Sequence, residues 1–161
     1  VTPWSQGVYD DWGVNLAVIA VTVISVAVCV ILHYEALFKL SRRLGRVDHH
    51  DGRRRHRRVL YGIFGVLTVH VIEIWLFGLA FYLLQIISPS FGYIQGIAQG
   101  SLVDHVYFSA VTFTTVGFGD LIPAGPVRFL AGTEALTGFV LITWSASFTY
   151  LEMNRFWSRG A

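Results

Sequence analysis

The stretch Thr114-Thr115-Val116-Gly117-Phe118-Gly119-Asp120 decides how this chain is read. Gly117 and Gly119 stand two residues apart, and glycine enters the φ > 0 region at little steric cost. The pair permits a strand whose backbone conformation alternates residue by residue. Just before it lies a short amphipathic stretch, residues 101–113, and on either side lie apolar segments of membrane-crossing length. A segment so placed descends part-way and returns as a re-entrant loop, tolerated in lipid only where protein encloses it.

The composition agrees with that setting. Of 161 residues, 54% are hydrophobic and 14% charged, with a mean hydropathy of +0.57. That is too apolar for an ordinary soluble domain and fits a small polytopic membrane protein. Cys29 is the sole cysteine, so no intrachain disulfide forms. No nucleophile–base pair, metal cluster or phosphate loop is legible, so neither an enzyme nor a cofactor is expected. The first apolar run is too long, and lacks the basic flank, for a cleaved signal peptide.

The first segment, residues 1–38, holds Trp4, Tyr9 and Trp12, which read as a membrane interface or a disordered tail, and then a span over 14–38. It is rich in β-branched residues, but only a helix or closed barrel satisfies its backbone in lipid. His33, Tyr34 and Glu35 are read as its exit into the interface. Residues 39–58 form a basic loop carrying nine of the twelve Lys and Arg. Arg42, Arg43, Arg46, Arg53, Arg54 and Arg55 suit anionic lipid headgroups. As a short tether between spans, this run is not read as a nucleic-acid site. The positive-inside rule places it in the cytoplasm.

The second span covers 59–87. Its His70 and Glu73 lie three apart on one helix face and are expected to face protein. They read either as a pH-sensitive element or as a hydrogen-bonded pair pinning the helix, the latter being favoured. They do not make the His-Glu-x-x-His pattern of zinc proteases. Residues 88–100 read as a loop. In the short helix 101–113, Ser101 is the N-cap with Asp104 three residues on. Pro123 ends an extended segment, Pro126 opens the third helix, 126–152, and residues 153–161 form a basic cytoplasmic tail. Three spans put the N-terminus outside, the arginine-rich loop inside, the re-entrant loop outside and the C-terminus inside.

Residues 114–120, so framed, resemble the signature of the tetrameric potassium channel family. The resemblance covers residues 59–155, a span–loop–span pore domain of prokaryotic type. The first span lies outside it and lacks the repeated arginines of a voltage sensor. The resemblance implies an all-α membrane protein. Three transmembrane helices, a re-entrant pore helix and a filter loop would form a homotetramer with three identical subunits around a central pore. It would sit in the cell inner (plasma) membrane. The backbone carbonyls of Thr115, Val116, Gly117, Phe118 and Gly119 would replace the hydration shell of K+, the permeant ion, and K+ would be held at Thr115 to Phe118. Val116 and Phe118 would pack behind the filter as a cuff.

Filter support is assigned to Thr114, Asp120, Tyr107, Val111, Glu134, Glu73 and His70. Gly138 matches the family's hinge glycine. Phe139, Ile142, Ala146 and Tyr150 either line the inner pore or pack against other helices. Three departures stand out. Phe118 replaces a common Tyr, Tyr107-Phe108 replaces a Trp pair, and Val111 replaces a Glu that pairs with the filter Asp. Asp120 then needs another partner or stays solvated. Glu134 is placed near polar groups behind the filter, with Glu73 approaching it. The function expected is passive potassium conduction. The alternatives are a weakly selective monovalent cation channel and a regulatory or structural subunit with a non-conducting loop.

Overall fold

A computed structural model describes residues 11–45, 52–97 and 101–157. Four helices dominate: α1 (Trp12–Gly45), α2 (Gly52–Ile87), α3 (Leu102–Phe113) and α4 (Val127–Trp157). Three of them, α1, α2 and α4, are long and apolar enough to cross a membrane. The 34 residues of α1 extend roughly 50 Å at 1.5 Å each, well beyond a hydrocarbon core of about 30 Å. Its start is capped by Asp11, whose carboxylate accepts from the amides of Gly13 and Val14 at 2.9 and 3.3 Å.

The basic segment is more helical than expected. α1 continues to Gly45 and α2 begins at Gly52, so most of residues 39–58 belongs to helix rather than loop. Arginine and lysine are good helix formers, and Arg42 and Arg43 fall in the last turn of α1, where cations oppose the helix dipole favourably. Arg43 donates to the Tyr61 hydroxyl at 2.8 Å, joining α1 to α2. Arg42 lies over the Phe38 ring. Arg46 lies outside the described residues. Arg53, Arg54 and Arg55 sit in the first turns of α2.

The loop over 88–100 also carries structure. A 3-10 turn at Pro89–Phe91 leads into β1 (Tyr93–Gln95), which pairs antiparallel with β2 (Ile122–Ala124). Tyr93 faces Ala124, Ile94 faces Pro123 and Gln95 faces Ile122. Pro123 therefore sits within a strand, not at its stop; a two-stranded ribbon has a free edge where a missing N–H costs nothing. The ribbon clasps the segment before α3 to the segment that follows Asp120.

The core lies where α3 is enclosed by α2 and α4. Phe77 and Phe81 of α2, Phe108 and Phe113 of α3, and Leu130 and Leu141 of α4 are almost completely buried. Phe81 and Phe108 meet edge to face at 5.0 Å between ring centres. Small residues permit the close approaches. A Cβ built on Gly78 would stand 2.8 Å from the Val106 backbone, as expected where helices associate without water to drive them. α1 packs along α2 and α4 through a stripe of buried residues: Val18, Thr22, Cys29, His33, Leu37, Leu40 and Leu44.

Gly78→Ala is expected to lower the stability of the purified protein by about 1–3 kcal/mol, the usual cost of overpacking. At Gly62 a Cβ would meet only Leu44 Cδ1 at an ordinary 3.6 Å. Gly62→Ala is therefore expected to leave the melting temperature unchanged or raise it. Thermal melts followed by circular dichroism in detergent check both.

Candidate functional site

α3 begins where Ser101 accepts from the Asp104 amide at 3.2 Å, as the capping pattern requires. It ends at Phe113, leaving the carbonyls of its last turn without helical partners. The strand that follows supplies them. Thr114 N–H donates to Ala110, Thr115 N–H to Thr112 and Gly117 N–H to Val111, at 3.2, 2.9 and 3.0 Å. The Thr114 hydroxyl adds a bond to the Ala110 carbonyl at 2.7 Å.

The strand alternates in conformation. Thr115, Gly117 and Gly119 have φ of 59°, 51° and 81°, whereas Val116 and Phe118 between them are not in the positive region. Alternating mirror-image conformations turn successive carbonyls to one side of the strand and successive amides to the other. A dehydrated cation needs such a row. Thr115 went unread as part of this pattern: a β-branched residue at positive φ is a backbone outlier. It costs on the order of 1–3 kcal/mol and persists only where its surroundings impose it. Here the amide of Thr115 and that of Gly117 are both tied to the end of α3.

In one chain this strand is bare. Val116 and Phe118 are 53% and 70% exposed, so a single chain supplies no cuff behind them. A Cβ on Gly117 or Gly119 would touch nothing within 4 Å; these glycines serve conformation, not space.

The scaffold behind the strand differs in part from the expected one. Asp120 has a partner: Tyr107 donates its hydroxyl to Oδ2 at 3.0 Å. Phe108, its neighbour, turns the other way into the core, and Val111 is buried. Glu134 of α4 is completely buried, with Oε1 2.5 Å from Ser109 Oγ on α3. Its Oε2 has no hydrogen-bond partner among the described residues. Ser109 Oγ also lies 2.8 Å from the Ile74 carbonyl of α2, so one hydroxyl joins α2, α3 and α4.

Glu73 does not lean on Glu134. It is completely buried between two histidines: His33 Nδ1 lies 2.9 Å from Oε1 and His70 Nδ1 lies 2.8 Å from Oε2. His33 was read as an interfacial residue, but it is fully buried mid-helix because α1 runs a further twelve residues to Gly45. Its signal was present in the four-residue spacing of Cys29, His33 and Leu37 on the packed stripe of α1, and in the need of an intramembrane carboxylate for a partner.

Gly138, the candidate hinge, lies inside an uninterrupted α4, and a Cβ there would overlap the Phe113 carbonyl. There α4 lies directly against the backbone at the end of α3. Ile142, Ala146 and Tyr150 line a groove of about 440 Å³ between α2 and α4, together with His70 and Ser145. Phe139 is exposed elsewhere on α4.

The ion channel family matches residues 69–152, about half of the chain. The protein belongs to this family. Within it, the chain is similar to the inward rectifier potassium channel Kirbac3.1 of Paramagnetospirillum magnetotacticum, with 38% identity over 63 residues, covering 38% of this chain and 21% of that one. It is 31% identical over 71 residues to Protein LctB of Geobacillus stearothermophilus, covering 44% and 53%. It is 44% identical over 50 residues to two-pore potassium channel 1 of Arabidopsis thaliana, covering 30% and 14%. The chain thus spans between about a seventh and about half of these relatives' lengths. No solved structure gives a significant match. The match begins one residue before His70, so α1 lies wholly outside it.

Two outcomes test the scaffold. Ser109→Ala strands the buried Glu134 carboxyl and is expected to destabilise the protein by about 1–3 kcal/mol; the pair Ser109→Ala with Glu134→Leu recovers most of that loss, measured in one double-mutant cycle. The hydrogen bond to the Asp120 carboxylate holds the Tyr107 proton and raises that phenol above the ordinary tyrosine range. The bond is intact below the ordinary range and is lost as pH rises through the raised value. Ultraviolet titration should show one late tyrosine, absent in Tyr107→Phe and moved down in Asp120→Asn.

Proposed function

We propose that the protein is the pore-forming subunit of a potassium-selective channel, with four identical chains around one axis. The observation that carries this reading is the alternation of positive φ at Thr115, Gly117 and Gly119 on a strand anchored to the end of α3. One strand offers one side of an ion's coordination shell; a closed ring needs several, and cyclic symmetry supplies them. The exposure of Val116 and Phe118 in the single chain is consistent with neighbours that cover them.

Thr115 to Gly119 provide the carbonyl row for dehydrated K+, which passes as the permeant ion. Val111 and Tyr107 of α3 brace the row, with Thr114 at the helix end and Asp120 beyond the row as the partner of Tyr107, and Ser109 with Glu134 holds α3 against α4. The unbroken Val116-Gly117-Phe118-Gly119 favours potassium over sodium. The potassium channels among the relatives support the same ion. Conduction is passive, so no catalytic group takes part. The basic segment 39–58 faces the cytoplasm, where its Arg42, Arg43, Arg46, Arg53, Arg54 and Arg55 suit anionic headgroups. The N-terminal end of α1 then lies outside the cell, the C-terminal end of α4 inside, and the host is the plasma membrane. Gly138 provides the bend for gating only if the contact with Phe113 opens.

Purified protein in liposomes is expected to pass potassium, to be blocked by barium, and to pass far less sodium. Gly117→Ala, which forces a side chain into the left-handed region at about 1–2 kcal/mol per site, is expected to abolish the flux while the protein still assembles. A protein that is monomeric in detergent, or that assembles without conducting, would contradict this function.

A further inference from the structure

The His33–Glu73–His70 cluster is unused by the conduction pathway and brings together chemistry that the sequence keeps apart. Glu73 and His70 belong to α2, and His33 reaches them from α1, forty residues earlier. His33 and Glu73 are completely buried, and His70 is 13% exposed. The donor atoms that the three residues offer lie within 4.8 Å of one another.

We propose that His33, His70 and Glu73 bind a divalent transition metal, with zinc as the best match, and that this ion clamps α1 to the pore domain.

The donor set is the first argument. Two imidazoles and one carboxylate suit zinc, which takes nitrogen and oxygen ligands at about 2.0–2.2 Å. Both imidazoles turn Nδ1 toward the same carboxylate, so the three residues converge on one region. A single histidine would serve to partner a buried carboxylate. Two histidines, one from each helix, make the donor set of a metal centre.

The surroundings are the second. His33 Nε2 lies 3.3 Å from Ser145 Oγ on α4. A metal-bound imidazole characteristically gives its other ring nitrogen to such an outer partner, which fixes the tautomer and the ring plane. His33 and His70 stand 5.4 Å apart between ring centres, and the His33 ring also packs against Trp144 at 5.4 Å. The ligands therefore sit on packed helices rather than on loops, as a well-defined site needs.

Access is the third. His70 and Ser145 both line the groove of about 440 Å³ between α2 and α4. The groove gives an ion a way in and leaves water a place at its remaining coordination position. Burial explains the preference for a cation: an intramembrane carboxylate is costly without one. This site does not rest on potassium conduction, and its test reads metal directly.

The full chain, purified in detergent, is loaded with zinc, dialysed against metal-free buffer and counted by mass spectrometry. The expected result is about one zinc per chain, with cobalt in its place giving the visible absorption of a low-coordinate nitrogen–oxygen site. His33→Gln and Glu73→Gln are expected to weaken retention by about tenfold or more. A control with His49→Ala, His50→Ala and His56→Ala removes the histidines of the basic segment and is expected to keep the ion. A wild-type protein that retains no zinc overturns the site, and so does zinc that follows His49, His50 and His56 instead of His33. If the glutamine variants fail to assemble, the cobalt spectrum of the wild type decides, and its absence overturns the proposal. A cluster that shares protons between histidine and glutamate without a metal gives that last result.

Discussion

Bare backbone can stand at membrane depth only where protein supplies its hydrogen bonds and shields it from lipid. The strand after α3 meets that constraint by hanging its amides on the carbonyls that α3 leaves unpaired. One bond set thus solves two problems, the frayed end of a short helix and the unsupported start of a strand. The tie also holds Thr115 in a conformation that it would not choose alone. Everything else in the pore domain positions α3 so that this arrangement has somewhere to stand.

Because lipid tails are as apolar as the helices, hydrophobic burial contributes little to pairing them. The protein uses close approach and a few polar pins instead. Gly78 and Gly138 let α2 and α4 reach the backbone of α3. Ser109 ties Glu134 and the Ile74 carbonyl to one hydroxyl. Arg43 with Tyr61, and Ser41 with Glu152 at 3.1 Å, hold the far end of α1 to α2 and α4. Each pin joins different helices, so loss of one loosens a specific interface.

α1 deserves separate weight because the family match does not include it. Val18 and Cys29 of its packed stripe join the core around α3, Leu37, Leu40 and Leu44 form a second cluster with Val66 of α2, and His33 touches the buried carboxylate that α2 carries. The helix is therefore a structural part of the domain. Any change at the cluster is felt by α1, α2 and α4 together, since Ser145 of α4 adjoins His33.

The sequence alone determined the three long apolar helices, the short helix α3 with its Ser101 cap, and the glycine spacing at Gly117 and Gly119. These follow from local rules: apolar length, capping chemistry and the conformational freedom of glycine. It also marked Glu134 and Glu73 as buried acids that need company. Only the tertiary structure decided which company. Ser109 for Glu134, His33 for Glu73 and Tyr107 for Asp120 are pairings across helices or across a turn, set by how the helices rotate and slide against one another. The short ribbon of Tyr93–Gln95 with Ile122–Ala124 was hidden for the same reason, since neither three-residue piece has a strand signal without its partner. Periodicity shows which face of a helix is buried, but the facing residue is chosen by packing, where spacing along the chain carries no information.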